Sequence, residues 1–162
     1  MTRLNRHPKN TYILLFLIAI NSFVQLPALA SDLAKEKRWS EQIVDSLLVG
    51  DPVDLKAGDT TFLGIFTPAS NDSANRAAIV VHGVGVHPDW PEVIYPLRSE
   101  LPEHGWSTLS VQMPILANDA PMKDYLPLFD EVAPRLNAAI GYLREQGNKT
   151  IVIIAHSLGA SM

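Results

Sequence analysis

The sequence has 162 residues and no cysteine, which excludes disulfides, thiolate metal sites and lipid attachment through an N-terminal cysteine. It is 47% hydrophobic and 19% charged, a composition typical of a globular domain and not of a disordered chain. The formal charge is −4, and because residues 1–30 hold three basic residues and no acid, residues 31–162 carry a net −7, which argues against a nucleic-acid partner.

The first thirty residues have the organisation of a secretory signal peptide. A basic start precedes the uncharged apolar run Tyr12–Ile20, and Ala28 and Ala30 place small residues at the −3 and −1 positions of a signal-peptidase site. The alternative is an uncleaved membrane anchor, but a span needs about 20 apolar residues and polar residues interrupt this run after Ile20. We therefore expect signal peptidase to cleave between Ala30 and Ser31, which would place the mature protein in the periplasm or outside the cell.

The segment that follows is predicted to form a helix and a hairpin. Apolar residues recur at loosely helical spacing over Leu33–Leu48, and Gly50-Asp51-Pro52 ends that pattern. Val53–Leu55 and Thr61–Phe66 flank a turn-rich segment and indicate two antiparallel strands. A polar loop, Pro68–Asn75, comes next.

From residue 77 onward the pattern alternates between buried strands and helices. Short apolar runs predict strands, and three- and four-residue apolar spacing predicts the helices between them. The predicted elements are the strand Ala77–Val81, the helix Pro91–His104, the strand Trp106–Val111, the helix Asp124–Gln146 and the strand Thr150–Ala155. This alternation predicts the α/β class, with a doubly wound sheet and right-handed crossovers.

The last predicted strand runs directly into a nucleophile-elbow pattern, a small residue, any residue, Ser, any residue and Gly. Here it reads Ala155-His156-Ser157-Leu158-Gly159. The residues two before and two after the serine must be small because strand and helix approach closely at the sharp turn. The turn lifts the Ser157 hydroxyl to the carboxyl edge of the sheet, where it can act as a nucleophile.

The first buried strand ends in a second characteristic loop, His82-Gly83-Val84-Gly85. Together the two loops resemble those of the α/β-hydrolase superfamily, over roughly Thr61–Ala160. The strings HGVGVHPDWPEVIYPLR and GWSTLSVQMP are similar to an uncharacterised family of exported bacterial proteins of this fold.

The resemblance implies a role for each residue of the two loops. Ser157 would be the nucleophile, the backbone N–H groups of Val84 and Leu158 would stabilise the oxyanion, and Gly83 would belong to the oxyanion loop. The third strand of the fold would end at His82-Gly83, and the fifth would lead into Ser157. The chain is thus expected to be the N-terminal half of a doubly wound, mostly parallel α/β-hydrolase sheet.

Other polar residues near these loops have weaker claims to chemistry. His156 adjoins Ser157, but neighbouring side chains diverge at a tight turn, so we interpret it as a structural or pocket-wall residue. His82, His87 and Asp89 lack a recognised metal-ligand spacing, and a loop role is the preferred interpretation. Asp119 precedes the serine in chain order, unlike a triad acid, and is interpreted as a solvated loop residue.

These expectations define one leading function and one alternative. The leading function is hydrolysis of an ester, or less favourably an amide, through an acyl-enzyme on Ser157, with no cofactor and no metal. The substrate would be a small or lipid-like ester. A catalytic acid and histidine are expected beyond Met162, so the chain itself would be inactive. The alternative is a non-catalytic exported binding or scaffold protein that retains the fold.

The predicted organisation has three parts. Residues 1–30 form the signal peptide, and residues 31–60 form the N-terminal helix and the start of the hairpin. Residues 61–162 form a partial α/β-hydrolase domain that stops after the elbow. The sequence does not indicate the substrate or the oligomeric state.

Overall fold

The structure is a computed structural model that describes residues 31–71 and 75–162. In chain order, the elements are helix α1 (Leu33–Ser46), strands β1 (Asp51–Ala57), β2 (Thr60–Thr67) and β3 (Arg76–Val81), helix α2 (Ile94–Glu100), strand β4 (Ser107–Val111), helix α3 (Phe129–Glu145) and strand β5 (Thr150–Ala155). Short 3₁₀ helices cover Leu101–His104, Met122–Leu128 and Ser157–Ala160. The predicted signal peptide, residues 1–30, lies outside the described residues.

The five described strands form one sheet in the order β1-β2-β4-β3-β5. Strand β3 is parallel to both of its neighbours, β4 and β5, whereas β2 is antiparallel to β1 and β4. Of the five described strands, only β2 therefore runs against the common direction. The α/β class with a mostly parallel sheet, predicted from the sequence, is confirmed.

The hairpin at the start of the sheet has a two-residue turn. Ala57 pairs with Thr60, and Gly58 between them adopts a φ of +60°. Glycine adopts this left-handed conformation without the steric cost of a Cβ atom. The turn sets the register in which Leu55 faces Phe62, and this apolar pair joins the main core.

Helices cover both faces of the sheet because the two crossovers travel in opposite directions. From β3 to β4 the chain crosses through α2, and from β4 to β5 it passes back over β3 through α3. Adjacent residues of β4 point to opposite faces of the sheet and contact different helices. Thr108 Oγ1 donates to the Arg98 carbonyl of α2, whereas Leu109 packs in the cluster that contains Leu143 of α3. On the side away from α3, Ile43 of α1 packs against β2.

Prolines shorten two of the predicted helices. The segment predicted as one helix over Asp124–Gln146 begins with 3₁₀ geometry, and α3 starts at Phe129, because Pro127 has no N–H to donate. Likewise α2 ends at Glu100 and continues as a 3₁₀ turn through Pro102. No helix within residues 31–71 and 75–162 is both long and apolar enough to cross a membrane.

Strand β5 lies at the edge of the described sheet and pairs there with β3. Its apolar side chains are incompletely covered, with Val152 37% and Ile153 49% exposed. By contrast, Ala77–Val81 in the neighbouring β3 are all 2% exposed or less. The strand that carries the elbow is thus the least buried part of the parallel sheet.

Candidate active site

Ser157 lies at a sharp turn immediately after β5. Its φ is +55°, and among the described residues it is the only one other than glycine with a positive φ. The turn is held to the neighbouring strand because the His156 N–H donates to the Val81 carbonyl at 3.0 Å. A left-handed backbone costs a non-glycine residue roughly 1–2 kcal/mol and is concentrated at functional sites. The elbow pattern in the sequence predicted a sharp turn at this position.

Two glycines allow the elbow to pack against the end of β3. A Cβ atom on Gly159 would lie 2.5 Å from the His82 carbonyl oxygen and 2.9 Å from Val81 Cγ1. A Cβ atom on Gly83 would lie 2.9 Å from Ser157 Cβ. The elbow and the His82-Gly83 loop are therefore in direct contact, and neither position has room for a side chain.

The proposed oxyanion donors belong to the same two loops. The side chains of Val84 and Leu158 both pack against one apolar cluster, formed by Leu116, Tyr125 and Leu128. Within the described ranges, the backbone N–H groups of Val84 and Leu158 donate no hydrogen bond, and the exposed Ser157 hydroxyl makes none either. The loops thus bring a strained serine close to amides whose hydrogen-bonding capacity is unused.

His82 is a buried side chain that supports the His82-Gly83 loop. It is 1% exposed, and its Nε2 accepts a hydrogen bond from the Met113 N–H at 3.0 Å. Nε2 is therefore unprotonated, and Nδ1 carries the proton that it donates to the Gly83 carbonyl at 2.8 Å. Burial lowers the pKa of His82 to about 4, so the ring is neutral at neutral pH.

This hydrogen bond orients the peptide that joins Gly83 to Val84. In a trans peptide the carbonyl and the following N–H point in opposite directions, and the described residues contain no cis bond. With the Gly83 carbonyl held on His82, the Val84 N–H must point away from that ring. His82 is therefore a positioning residue for the proposed oxyanion donor. From the sequence we interpreted His82 as a loop residue. Its positioning role becomes visible only from its contact with Met113.

None of the histidines in the described part of the chain bonds to Ser157. Both ring nitrogens of His82 are engaged, and His87 packs edge-on against Trp39 and Trp90. His87 Nδ1 also accepts from the Asp89 N–H, and burial lowers the pKa of His87. His156 is exposed, beside the serine in sequence but without a hydrogen bond to it.

Neither of the two acids considered from the sequence forms a hydrogen bond with the serine hydroxyl in the described part of the chain. Asp89 forms an ion pair with Arg98, whose side chain is fully buried. Asp119 is exposed in the loop after β4. Over residues 31–71 and 75–162, no cluster of three or more His, Asp or Glu side chains could hold a metal ion.

Comparison with known proteins supports the fold. A family model described as "Protein of unknown function (DUF3530)" matches residues 25–127. No curated protein matches the chain. An esterase from Pyrococcus furiosus superposes with a TM-score of 0.55 at 18% identity, covering 73% of this chain and 45% of that one.

Two further solved structures are similar to the chain at low identity. An alpha-beta serine hydrolase homologue from Coxiella burnetii gives a TM-score of 0.52 at 14% identity, over 70% of this chain and 55% of the other. Est1E from Butyrivibrio proteoclasticus gives a TM-score of 0.49 at 18% identity, over 67% of this chain and 41% of that one. The chain thus spans between 41% and 55% of the length of these structures. The Pyrococcus furiosus and Coxiella burnetii structures show that the chain has the α/β-hydrolase fold predicted from the sequence.

Proposed function

The chain belongs to the protein family of unknown function DUF3530, and on that premise we propose from its site that it is the N-terminal part of an exported serine hydrolase. Its reaction would be the hydrolysis of carboxylic esters through an acyl-enzyme on Ser157. The observation that carries the proposal is the left-handed Ser157 at the end of β5, packed against Gly83 of the oxyanion loop.

The proposed chemistry follows from the placement of the two loops. Ser157 Oγ attacks the ester carbonyl carbon, and the carbonyl oxygen becomes an oxyanion that the Val84 and Leu158 N–H groups stabilise. Collapse of this tetrahedral intermediate breaks the carbon–oxygen ester bond, and the alcohol leaves with a proton. Water then attacks the acyl-serine, which releases the acid and restores the hydroxyl.

A serine hydroxyl needs a base, and the described part of the chain offers no histidine bonded to Ser157. We propose that a histidine and a carboxylate after Met162 complete the triad in the full-length protein. This is in keeping with the chain spanning 45% of the Pyrococcus furiosus esterase and 55% of the Coxiella burnetii homologue. The esterase in this comparison also favours an ester over an amide as substrate.

Export is a separate part of the proposal. The basic start, the apolar run Tyr12–Ile20 and the small residues Ala28 and Ala30 support cleavage by signal peptidase before Ser31. The mature protein would then act in the periplasm or outside the cell. Separating cytoplasmic and exported fractions tests this, and a chain that remains in the cytoplasm with its original Met1 would contradict it.

A fluorophosphonate probe tests the catalytic part, because it labels a serine only when a base activates the hydroxyl. We expect labelling of the full-length protein and of Ser161→Ala, a control at a nearby exposed serine, but not of Ser157→Ala. The second candidate, a non-catalytic binding protein, is favoured by the absence of a hydrogen bond to Ser157 Oγ in the described residues. An unlabelled full-length protein would support that alternative.

A further inference from the structure

We propose that cleavage before Ser31 creates an amino terminus whose α-ammonium group forms an ion pair with Glu131. The inference rests on the proposed export of the protein and is independent of the proposed catalysis by Ser157. The ion pair would complete a buried charge cluster whose residues are not themselves part of the candidate active site.

Ser31 is held in place by two hydrogen bonds to one carboxylate. It is 7% exposed. Its main-chain nitrogen donates to Glu131 Oε1 at 3.0 Å, and its hydroxyl donates to Glu131 Oε2 at 2.8 Å. The next residue is also fixed, because the Asp32 N–H donates to the Ile115 carbonyl at 2.7 Å. The chain thus enters α1 with its first described nitrogen directed at a carboxylate.

Among the described residues, the groups bonded around Ser31 carry more negative than positive charge. Arg135, 1% exposed, donates from Nη1 and Nη2 to the Glu36 carboxylate at 2.8 and 3.1 Å. Its Nη2 also reaches Glu131 Oε2 at 3.3 Å and Ser31 Oγ at 3.3 Å. One guanidinium therefore faces two carboxylates, which leaves one negative charge when both are ionised, and burial raises the pKa of Glu36 in spite of its bonds to Arg135. Such a charge is costly unless a partner neutralises it.

Lys35 of α1, which follows Ser31 in the chain, has other partners and forms no ion pair with Glu36 or Glu131. Lys35 Nζ donates instead to the Leu116 carbonyl at 2.6 Å and to Asn118 Oδ1 at 2.7 Å. In an uncleaved chain the Ser31 nitrogen is a neutral amide. After cleavage it is an ammonium group with an ordinary pKa near 8, and its charge brings the cluster of Glu36, Glu131 and Arg135 to neutrality.

The same cluster supports the segment on which the oxyanion loop depends. Arg135 Nη1 donates to the Gln112 carbonyl at 3.0 Å, and Glu36 Oε1 accepts from the Ile115 N–H at 3.4 Å. Between these positions, the Met113 N–H holds the His82 ring. Removal of the signal peptide would therefore strengthen the packing of the segment behind the oxyanion loop.

The test begins with the exported full-length protein. We expect N-terminal sequencing and intact mass to give Ser31 as the first residue. Periodate then serves as a probe, because it oxidises serine only when the residue is at the amino terminus with a free amine. We expect slow oxidation in the native protein and rapid oxidation in guanidinium.

The variant Glu131→Gln removes the proposed partner of the ammonium group. We expect native oxidation to become about tenfold faster, the effect of losing a charge-assisted hydrogen bond, and the melting temperature to fall. Glu145→Gln, at an exposed carboxylate of the same helix, should match the wild type. Equal behaviour of the two variants would overturn the proposal.

Two further results would each contradict the ion pair without reference to the Glu131 variant. A first residue other than Ser31 would overturn it, and so would equal oxidation rates in native and unfolded wild-type protein, even if Glu131→Gln fails to fold. A protein that begins at a protected Ser31 but resists fluorophosphonate would uphold this inference and refute the hydrolase.

Discussion

His82 Nδ1 lies 2.8 Å from the Gly83 carbonyl oxygen, and this hydrogen bond connects a buried neutral imidazole to the loop in front of Ser157. Its partner on the other side of the ring is the Met113 N–H at 3.0 Å. The imidazole thus joins the ends of β3 and β4, two adjacent parallel strands. The orientation of the proposed oxyanion donor depends on a side chain that need not touch the substrate.

Replacing His82 should therefore impair acyl transfer without removing a reacting group. In the full-length protein we expect His82→Ala to lower the rate of fluorophosphonate labelling by about 10²-fold, comparable to the loss of one oxyanion donor. His82→Asn should recover part of this rate, because its amide can still donate to the Gly83 carbonyl. The exposed His104→Ala is the control. Equal labelling of all variants would contradict a positioning role.

Acid should destabilise the fold through the same residue. The folded-state pKa of His82 is lowered to about 4 from an ordinary 6.5, so between these values the unfolded chain binds more protons. Stability from this group is thus present above pH 6.5 and is lost as the pH falls towards 4, by up to about 3 kcal/mol. Thermal melts at pH 7 and 4.5 should show a larger decrease for wild type than for His82→Asn. An equal decrease in melting temperature for the two proteins would show that His82 does not cause the loss of stability in acid.

Substitutions of Ser157 should separate chemistry from backbone strain. Ser157→Ala removes the proposed nucleophile and should reduce turnover by up to about 10⁶-fold with little change in stability. Ser157→Gly should be equally inactive but more stable by about 0.5–1 kcal/mol, because glycine tolerates the φ of +55°. Esterase assays and thermal melts measure the two effects. Wild-type activity in either variant would show that another residue is the nucleophile.

A pair of glycine substitutions tests the packing of the elbow. Gly159→Ala places a Cβ atom 2.5 Å from the His82 carbonyl oxygen, and we expect it to cost about 1–3 kcal/mol of stability and to abolish labelling of Ser157. Gly141→Ala is the matched control, since a Cβ atom there meets nothing within 4 Å. That helical substitution should stabilise the protein by up to about 1 kcal/mol. If both variants melt alike, the close packing at Gly159 is not a determinant of the fold.

The edge strand β5 gives a prediction for residues 31–162 expressed alone. Open backbone groups and the partly exposed Val152 and Ile153 should make this segment aggregate and prevent a cooperative melt. Ile153→Lys should increase its solubility, because an edge lysine opposes strand addition. In the full-length protein the same change should be destabilising if further chain covers that position. A soluble, cooperatively melting wild-type segment would contradict the prediction.

Patterns within short stretches of sequence were sufficient to predict much of the fold. The apolar runs Ala77–Val81 and Thr150–Ala155 correspond to the strands β3 and β5, which end where predicted. The elbow pattern predicted the turn at Ser157, because its small residues are needed locally for strand and helix to approach. The helix predictions were less accurate. The segment predicted as one helix over Asp124–Gln146 is divided into a 3₁₀ and an α-helical part, because proline disrupts local hydrogen bonds without altering the apolar period.

By itself, the sequence determined the class of fold and the two loops that form the candidate site, because strand periodicity and turn chemistry are local properties. The tertiary structure alone decided which polar side chains support that site. His82 meets Met113 across 31 positions, and Arg135 meets Glu36 across 99. No spacing in the sequence marks such pairs, since their energy comes from burial and from partners that only the assembled sheet brings together.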